Sequence, residues 1–468
     1  MRQDATARRR MDVPRVLAKM DRIFAEAGFE AYLVGGAVRD TLLGARASDY
    51  DIATNAEPQD VIRLFRRVIP TGIQHGTVTV LFMGHRIEVT TFRSESGYTD
   101  SRHPDAVSFR GDIEDDLSRR DFTMNAIAVS LKTGEIIDPF GGQGDIRRRL
   151  IRTVGSPYAR FTEDALRPIR AIRFSACLGF DIDMPTLEAI PLSVPWIGQV
   201  SVERFRDELV KLLGAGEPSG ALGLLENCGI LRIFIPELAA CRGVGQGDGR
   251  GFHQFDVLDH LYYSCDGAPR DNLNVRLAAL FHDIAKPLTK KTRRKDGEDL
   301  VTFYNHERLG ADMTLRILTR LRFPQKTARY AARLVGEHMF HYESSWSGGA
   351  VRRFLTRVTP EAVDDLFSLR LADVYGMTRR APVLGGNPWS DTLVEFRDRI
   401  EGALARRDAL SLKDLAVNGD DLIKAGIPPG RVLGEVLRSL FETILDDPAE
   451  NTPEKLLPLG LNYYRKYQ

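Results

Sequence analysis

Short runs of hydrophobic residues dominate the first 150 positions of the chain, and amphipathic stretches separate them. Alternating or β-rich runs indicate strands, whereas apolar residues at every third or fourth position indicate helices. Strands are predicted at residues 32–34, 78–82, 86–92, 127–131 and 136–137. Helices are predicted at residues 16–27 and 58–67. We therefore expect a small mixed sheet packed by helices in this part of the chain.

After residue 150 the strand signals fade, and helical periodicity continues to the end of the chain. Glycine and proline clusters at residues 214–218, 243–251 and 382–388 mark further divisions. A chain of 468 residues is also too long for one ordinary hydrophobic core. The predicted fold class is α+β, with an N-terminal domain built on a small mixed sheet and an all-α remainder.

Charge and hydropathy narrow the choice of partners. The chain has 65 basic and 64 acidic residues, so its net charge is +1. A protein that coats long nucleic acids would usually be more basic, but this balance permits one local basic face for a compact RNA. No apolar run approaches the length of a membrane span. We therefore expect no membrane partner.

Two features bear on the cellular location. Residues 1–10 are polar and arginine-rich and lack the apolar stretch of a secretory signal. We interpret residues 1–12 as a disordered lead-in, with a targeting peptide or a nucleic-acid-binding arm as the alternatives. The four cysteines are scattered without a CxxC pair, which is typical of a protein from the reducing cytoplasm.

The first candidate for chemistry is the segment 33–40 (LVGGAVRD), which leads from a strand through two glycines into a helix. Gly35 and Gly36 would let the backbone approach a phosphate closely, and the first amides of a helix are ready donors to it. Arg39, in the first helical turn, could add a charged fork to a triphosphate. By itself, a Gly-Gly turn before a helix is more often structural.

Two aspartates follow ten residues later. Asp49 and Asp51 are separated by one residue, so on a strand both carboxylates point to the same side. Such a pair can hold two magnesium ions, one that activates a hydroxyl and one that neutralises a leaving pyrophosphate. Glu88, on a later strand, is a third candidate carboxylate. The alternatives are a solvated acidic turn for the aspartates and an outward-facing strand residue for Glu88.

The segment 119–126 (RRDFTMNA) adds Arg120 and Asp121 close to this predicted phosphate site. Arginines at such a position suit contacts to a triphosphate or a ribose, and a surface ion-pair cluster is the alternative. The order of the glycine turn, the two aspartates and the arginines within one small α/β domain favours a nucleotide site.

The segment 161–174 (FTEDALRPIRAIRF) is predicted to form one helix that starts at residues 162–164. Arg167, Arg170 and Arg173 form one row on this helix, beside an apolar row. Asp164 and Arg167, three positions apart, would present an acceptor beside a forked donor. That pair suits the pairing edges of cytosine and adenine and leaves polar groups unmatched against uracil and guanine. An ion pair at the start of a helix is the alternative.

The motifs LVGGAVRD, DYD, RRDFTMNA and EDALRPIRAIRF resemble, in this order, those of the class II tRNA nucleotidyltransferases, whose relatives include bacterial poly(A) polymerases. The resemblance runs from about residue 32 to about residue 229. It implies a head at residues 13–150, a helical neck at 151–230, a body at 231–385 and a tail at 386–468. The implied partners are the 3′ end and acceptor arm of tRNA, with CTP and ATP, and not DNA.

The resemblance also implies roles for individual residues. Asp49 and Asp51 would bind Mg²⁺, and Gly36 and Arg39 would contact the phosphates of the incoming nucleotide. Arg120 would contact the nucleotide as well. The base would be recognised by Asp164 and Arg167, with Arg170 and Arg173 in support. The 3′-hydroxyl of the tRNA would attack the α-phosphorus, and pyrophosphate would leave.

The resemblance leaves several activities open. Residues 94–118 match a flexible loop of the family and have its full length, which disfavours an enzyme that adds only the two cytidines. An enzyme that adds only the adenosine and a poly(A) polymerase remain alternatives. The short basic lead-in and the balanced net charge favour tRNA over generic RNA.

A second set of candidate ligands lies downstream: His260, the pair His282-Asp283, and Asp373. Their order resembles the HD superfamily of metal-dependent phosphohydrolases. Imidazoles and carboxylates suit a divalent transition metal that activates water on a phosphate ester. His306 and His338 could extend this site. The alternatives are hydrogen-bonded core histidines, and an HD fold that serves only to bind tRNA.

Overall fold

The computed structural model describes residues 10–45, 47, 49–73, 76–92, 94–96, 106–108, 112–246, 254–295, 298–384, 388–406 and 408–467. The chain divides into two compact units, Met1–Ala239 and Ala240–Gln468. The finer division into head, neck, body and tail stays a prediction. The first ten residues fall almost wholly outside the described ranges, as does much of the predicted flexible loop.

The first unit contains a seven-stranded sheet with the strand order β3-β4-β5-β2-β1-β8-β9. Strand β2 pairs with β5 in parallel, and the other neighbours in this sheet pair antiparallel. Two short two-stranded pairs, β6-β7 and β10-β11, lie outside it. The strands are β1 (Ala31–Val34), β2 (Tyr50–Thr54), β3 (Val68–Gly72), β4 (Thr77–Phe82), β5 (His85–Thr91), β6 (Ser94–Ser96), β7 (Ala106–Ser108), β8 (Ala128–Ser130), β9 (Ile136–Ile137), β10 (Leu150–Ile151) and β11 (Asp181–Ile182).

The sheet is held by the apolar pattern that predicted it. On β5, Ile87 and Val89 are buried while Glu88 between them is exposed, as period-two alternation requires. Helix α1 places Leu17, Met20 and Phe24 on one fully buried face, at the spacing expected of an amphipathic helix. The predictions of a sheet-containing first domain and of an α+β chain are both confirmed.

The helices of the first unit are α1 (Arg15–Glu26), α2 (Gly36–Leu42), α3 (Pro58–Leu64), α4 (Ile113–Ser118), α5 (Gly142–Arg148), α6 (Pro157–Glu163), α7 (Arg167–Leu178), α8 (Met184–Leu192), α9 (Val194–Ile197), α10 (Val202–Leu213), α11 (Ser219–Asn227), α12 (Ile230–Phe234) and α13 (Pro236–Ala239).

The prediction of one continuous helix over residues 161–174 is wrong. Helix α6 ends at Glu163, and Asp164 has extended backbone angles, with φ −140° and ψ 107°. Helix α7 then begins at Arg167, which places Pro168 in its first turn. Proline lacks an amide hydrogen and clashes with the preceding turn, so it is accommodated at a helix start and not inside one.

The second unit is helical apart from one hairpin in its described part. Its elements are α14 (Val257–Gly267), α15 (Leu273–Phe281), α16 (Lys286–Thr289), β12 (Lys291–Lys295), β13 (Glu298–Thr302), α17 (His306–Arg320), α18 (Gln325–Glu337), α19 (Gly348–Val358), α20 (Val363–Thr378), α21 (Pro388–Ala405), α22 (Gly419–Lys424), α23 (Arg431–Asp446) and α24 (Pro453–Lys466). Within the described ranges, no helix is both long enough and apolar enough for a bilayer crossing.

Candidate functional site

A pair of carboxylates lies where β2 and β5 run side by side. Asp51 and Glu88 are partners in the register of these two parallel strands, so their side chains lie on the same face of the sheet. Partial burial and the negative charge of Glu88 raise the pKa of Asp51 to about 6. Asp49 adds to this effect, and Arg120 opposes it. Negative charge is therefore concentrated here beyond what nearby arginines neutralise, which fits a bound cation.

Asp49 itself lies just before β2 and is exposed. Among the described residues, it does not line the cavity described below, although its charge acts on Asp51.

Gly35 explains the close approach of backbone to this carboxylate. Its φ is +71°, in the region that only glycine adopts freely. A Cβ at this position would lie 3.1 Å from Nη1 of Arg120 and 3.4 Å from Oδ2 of Asp51. Gly36 then begins the seven-residue helix α2. The Gly-Gly turn therefore brings main chain against both a candidate metal ligand and a candidate phosphate ligand.

Arg39 is buried and engaged within the protein. Its Nε donates to Oδ1 of Asp40 at 2.8 Å, and its Nη1 donates to Oδ1 of Asn125 at 2.8 Å. The guanidinium also lies 5.1 Å from the ring centroid of Phe174. Among the described residues, neither Arg39 nor Gly36 lines the cavity.

Arg119 and Arg120 share one buried acid. Asp116, on α4, accepts from both guanidinium groups, and Nη2 of Arg120 lies 3.1 Å from its Oδ2. Burial alone would raise the pKa of Asp116, but the two arginines outweigh it and hold that pKa below its usual value. Nε of Arg120 is buried and makes no hydrogen bond to a described residue. Arg120 also lines the cavity described below, which exposes part of its side chain to a ligand.

The row of arginines on α7 is held by two further acids. Nε of Arg170 donates to Oδ2 of Asp121 at 2.8 Å, and Nε of Arg173 donates to Oε2 of Glu208 at 2.8 Å. Asp121 is buried, which would raise its pKa, yet Arg170 and the amide of Asn125 lower that pKa to about 2. Arg170 and Asp121 line the cavity, whereas Arg173, among the described residues, does not.

Asp164 and Arg167 are anchored by different partners. The carboxylate of Asp164 accepts from Nη2 of Arg204 at 2.8 and 3.0 Å and from the amide of Leu166 at 3.0 Å. Arg167 donates to Glu163 Oε2 at 2.7 Å and to two carbonyl oxygens, of Arg160 and Arg119. Asp164 and Arg167 therefore do not lie on one helix as expected, because α6 ends at Glu163 and α7 begins at Arg167. Within the described structure the alternative, an ion pair between these two residues, does not form either. Both side chains still reach the same cavity.

That cavity has a volume of about 370 Å³ and joins the carboxylates to the base-recognition candidates. Its lining residues are Val34, Asp51, Ile52, Thr77, Glu88, Thr90, Arg119, Arg120, Asp121, Asp164, Leu166, Arg167, Arg170 and Arg204. Sequence reasoning did not identify Thr77, Thr90 or Arg204 as site residues. Arg204 lies 40 positions after Asp164 in the sequence. No local pattern indicates which turn of α10 packs against residues 164–166, which connect α6 to α7.

The second unit brings together all six predicted histidines and aspartates of the HD-like set. One group consists of His260 on α14, His282 and Asp283 just after α15, and Asp373 on α20. In this group Nε2 of His260 lies 3.0 Å from Nε2 of His282 and 3.2 Å from Oδ1 of Asp373. Oδ1 of Asp283 lies 3.2 Å from Nε2 of His306 and 3.8 Å from Nε2 of His338. Two triads with metal-ligand spacing therefore share Asp283.

The ring tautomers in this cluster suit a metal. Nδ1 of His282, of His306 and of His338 lies 2.9, 2.7 and 2.7 Å, respectively, from a backbone carbonyl. A carbonyl oxygen only accepts, so each Nδ1 carries the proton and each Nε2 offers a lone pair to the cluster. The Nε2 atoms of His306 and His338 lie 3.3 Å apart, and their lone pairs repel unless a proton or a cation lies between them. The donor set fits a divalent transition metal.

The pKa values of the cluster residues are set by burial and by the charges of their neighbours in the cluster. Burial and the neighbouring His282 lower the pKa of His338 to about 3. Burial would raise the pKa of Asp283, but Lys286 and the histidines hold it well below the usual value. Nζ of Lys286 lies 2.5 Å from Oδ2 of Asp283. A cavity of about 570 Å³ adjoins the cluster, and the residues that border it include Asp283, Lys286, His306, His338 and Asp373.

Comparison with known proteins agrees with this geometry. Residues 31–152 match the family model of the poly A polymerase head domain, and residues 179–242 match the RNA and SrmB-binding site of polymerase A. Residues 250–375 match the HD domain, and residues 400–459 match the tRNA nucleotidyltransferase domain 2. The head match and the cleft of carboxylates and arginines together define a nucleotidyltransferase.

A CCA-adding enzyme of Lactobacillus delbrueckii subsp. bulgaricus is 36% identical over 443 residues, which cover 93% of this chain and 94% of the relative. One from Geobacillus stearothermophilus is 51% identical over 212 residues, which cover 45% of this chain and 52% of the relative. The crystal structure of the Bacillus stearothermophilus CCA-adding enzyme in complex with CTP matches with a TM-score of 0.71 and 30% identity, covering 97% of this chain and 98% of that chain. The chain belongs to the CCA-adding enzyme family.

Proposed function

We propose that this chain adds CCA to the 3′ end of tRNA from CTP and ATP, with pyrophosphate as the product. The observation that carries this proposal is the single cavity lined by Asp51, Asp164 and Arg167. A nucleotide whose base contacts the last two residues would have its phosphates within the same space as the carboxylate. The 3′-hydroxyl oxygen forms a bond to the α-phosphorus, and the bond between that phosphorus and the β-phosphate oxygen breaks.

We assign the metal-binding role to Asp49 and Asp51, with Glu88 beside them. Their concentration of negative charge fits Mg²⁺, which prefers oxygen ligands. Bound Mg²⁺ would help to deprotonate the attacking hydroxyl and would neutralise charge on the leaving pyrophosphate. Gly35 keeps the space in front of Asp51 free of a side chain.

The arginines of the cleft divide into two sets. Arg120 lines the cavity and its Nη1 lies close to Gly35, so we assign it to the triphosphate. Arg39 is buried against Asp40 and Asn125, and we assign it to support of the turn instead of direct phosphate contact. Arg170 lines the cavity, while Arg173 holds α7 to α10 through Glu208.

Counting donors and acceptors supports base selection by Asp164 and Arg167. A carboxylate accepts about four hydrogen bonds, and the partners of Asp164 leave acceptor capacity on Oδ2. Of the five N–H groups of Arg167, three are engaged, which leaves Nε–H and one Nη2 hydrogen. Cytosine and adenine offer an amine donor beside a ring acceptor, which matches these free positions. Uracil and guanine would place a carbonyl against the carboxylate.

The test is an addition assay with purified protein, Mg²⁺, and tRNAs that end before CCA, after C and after CC. Each labelled nucleotide is supplied alone and then in mixtures. We expect growth to stop at CCA with CTP plus ATP, and no extension of a DNA strand of the same sequence. Unlimited A addition would identify a poly(A) polymerase, and labelling of the CC-ended tRNA alone would identify an A-only enzyme.

We propose a second activity for the HD-like cluster: its histidines and aspartates would hold a divalent transition metal, which would supply the activation of water for attack on a phosphate ester. The observation that favours it is the pair of triads sharing Asp283, with three Nε2 lone pairs fixed by backbone carbonyls. Lys286 and Arg370 border the adjoining cavity and could contact the phosphate.

The test of this second activity has two readouts. Protein stripped with a chelator and reloaded with Mn²⁺, Ni²⁺ or Co²⁺ is analysed for bound metal by elemental analysis, and p-nitrophenyl phosphate hydrolysis is followed in parallel. His306→Ala should lower the metal content, and His341→Ala, an exposed histidine outside the cluster, should not. Equal metal content in both variants would remove His306 from the site. We place both activities in the cytoplasm, consistent with four cysteines that are all present as thiols.

A further inference from the structure

Arg204 occupies a position that the proposed mechanism does not yet use. It lies on α10, lines the cavity, and its side chain retains 26% exposure. Its Nη2 bonds both carboxylate oxygens of Asp164, at 3.0 and 2.8 Å. Among the described residues, its Nε and Nη1 make no hydrogen bond.

Asp164 lies in the extended joint between α6 and α7, with φ −140° and ψ 107°. Its amide donates to the carbonyl of Arg160 at 3.4 Å, and its carbonyl accepts from the amide of Arg167 at 3.0 Å. Its carboxylate has two hydrogen-bond partners among the described residues: the amide of Leu166, which donates to Oδ1, and Arg204, which donates to both oxygens. Of these two partners, only Arg204 contacts Oδ2, the oxygen with spare acceptor capacity.

We propose that Arg204 is a positioning residue for base selection: its contact with both carboxylate oxygens of Asp164 fixes Oδ2 where the exocyclic amine of C or A must be accepted. This inference rests on the proposed function and deepens it by adding a specificity determinant from a third helix. An ionised carboxylate offers only acceptors, so an oxygen held in place suits the amine donor of C or A. A positioned acceptor discriminates because a base without the amine leaves it unmatched.

The sharpest test uses a nucleotide that differs from CTP only at the recognised group. The 4-deamino analogue, 2-pyrimidinone ribonucleoside triphosphate, keeps the ring nitrogen but lacks the amine. We expect the wild-type chain to prefer CTP over this analogue in kcat/KM. Arg204→Ala should reduce that ratio at least tenfold, mainly through kcat/KM for CTP. Arg204→Lys should restore part of it.

Matched variants separate positioning from folding. Arg206→Ala removes an arginine of similar exposure from the same helix, one that pairs with Asp207, and should leave the ratio unchanged. The double variant Arg204→Ala/Asp164→Ala should show no further loss beyond Asp164→Ala, because both changes remove one interaction. The thermal midpoint and the tRNA Kd of each variant report whether the fold is retained.

Two outcomes overturn the inference, and they differ in what they imply. If Asp164→Ala lowers the ratio and Arg204→Ala does not, Arg204 does not act through Asp164, and base recognition by Asp164 stands. If Asp164→Ala also leaves the ratio unchanged while CCA is still added, the base is recognised elsewhere, and the role of Arg204 fails with it. If Arg204→Ala strongly lowers the thermal midpoint, Arg204→Gln replaces it, because glutamine keeps most of the side chain without the charge. The same ratio of kcat/KM for CTP to that for the analogue then tests the inference.

Discussion

Asp51 and Glu88 lie at the same register of the parallel strands β2 and β5, so two carboxylates face one cavity from adjacent strands. Asp49 sits outside that cavity on the exposed approach to β2. Substitution of each of the three acids separately measures how much each contributes to catalysis.

We expect Asp51→Asn to lower the single-turnover rate of nucleotide addition by roughly a thousandfold or more, because several kcal/mol of metal-borne charge stabilisation would be lost. Asp49→Ala should have an effect of the same kind, with tRNA binding near normal in filter assays. Glu88→Gln should have the smallest effect. Full activity of Asp49→Ala would remove Asp49 from the metal site.

Arg167→Ala should weaken the choice of base. The variant loses the donor beside Asp164, so discrimination of CTP and ATP against UTP and GTP should fall by roughly one to two orders of magnitude. The measurement is kcat/KM for each nucleotide on the same tRNA. Arg63→Ala, on an exposed side chain of α3, is the control. An unchanged preference would contradict pairing between this arginine and the base.

Asp121 should make the stability of the chain depend on pH in the acid range. Its pKa is about 2 when folded, against an ordinary value of 3.8, because Arg170 and Asn125 favour the charged form. The resulting stabilisation, about 2 kcal/mol, is complete above the unfolded pKa and is lost as pH falls toward about 2. The difference in unfolding free energy between wild type and Asp121→Asn should therefore shrink by roughly half between pH 7 and pH 3. A constant difference in urea titrations across that range would contradict this assignment.

Arg352 and Arg353 provide a matched pair for stability in the second unit. Arg352 is buried, bonds Asp408 at 3.0 Å and donates to the carbonyls of Leu445 and Asp446. Arg353, its neighbour, makes exposed ion pairs. Arg352→Ala should cost about 3 kcal/mol, because buried Asp408 would keep only Arg406 as a partner, at 3.3 Å, and two carbonyls would lose their donor. Arg353→Ala should cost less than about 1 kcal/mol. Calorimetric unfolding of both variants checks this, and equal losses would contradict it.

The sequence predicted the composition of the site better than its internal pairing. Motif order identified five candidate site residues: Asp49, Asp51, Arg120, Asp164 and Arg167. The structure places all of them except Asp49 at one cavity. The placement of Asp164 and Arg167 on one helix was wrong, because α6 ends at Glu163 and α7, with Pro168 in its first turn, begins at Arg167. The phosphate contact of Arg39 stays a prediction, and its hydrogen bond to Asn125, 86 positions away, was not foreseen.

Other features depend on packing that no local pattern carries. Which turn of α10 meets Asp164 is set by how α10 lies on α7, so Arg204 could not be found from spacing. The hairpin β12–β13 was missed because its strands are mostly charged and lack the apolar alternation of a half-buried strand. Burial of β5 and α1, by contrast, follows directly from their own periodicity.

The break between α6 and α7 separates the two halves of the base-recognition edge mechanically. Arg167 is the first residue of α7, whereas Asp164 is the first of the three residues that connect α6 to α7. The carboxylate of Asp164 is bonded to Arg204 on α10. Lengthening or shortening the three-residue connection by one residue would shift the acceptor without moving the donor. Nucleotide preference in this chain could thus be retuned by changing loop length alone, with every side chain of the recognition edge left intact.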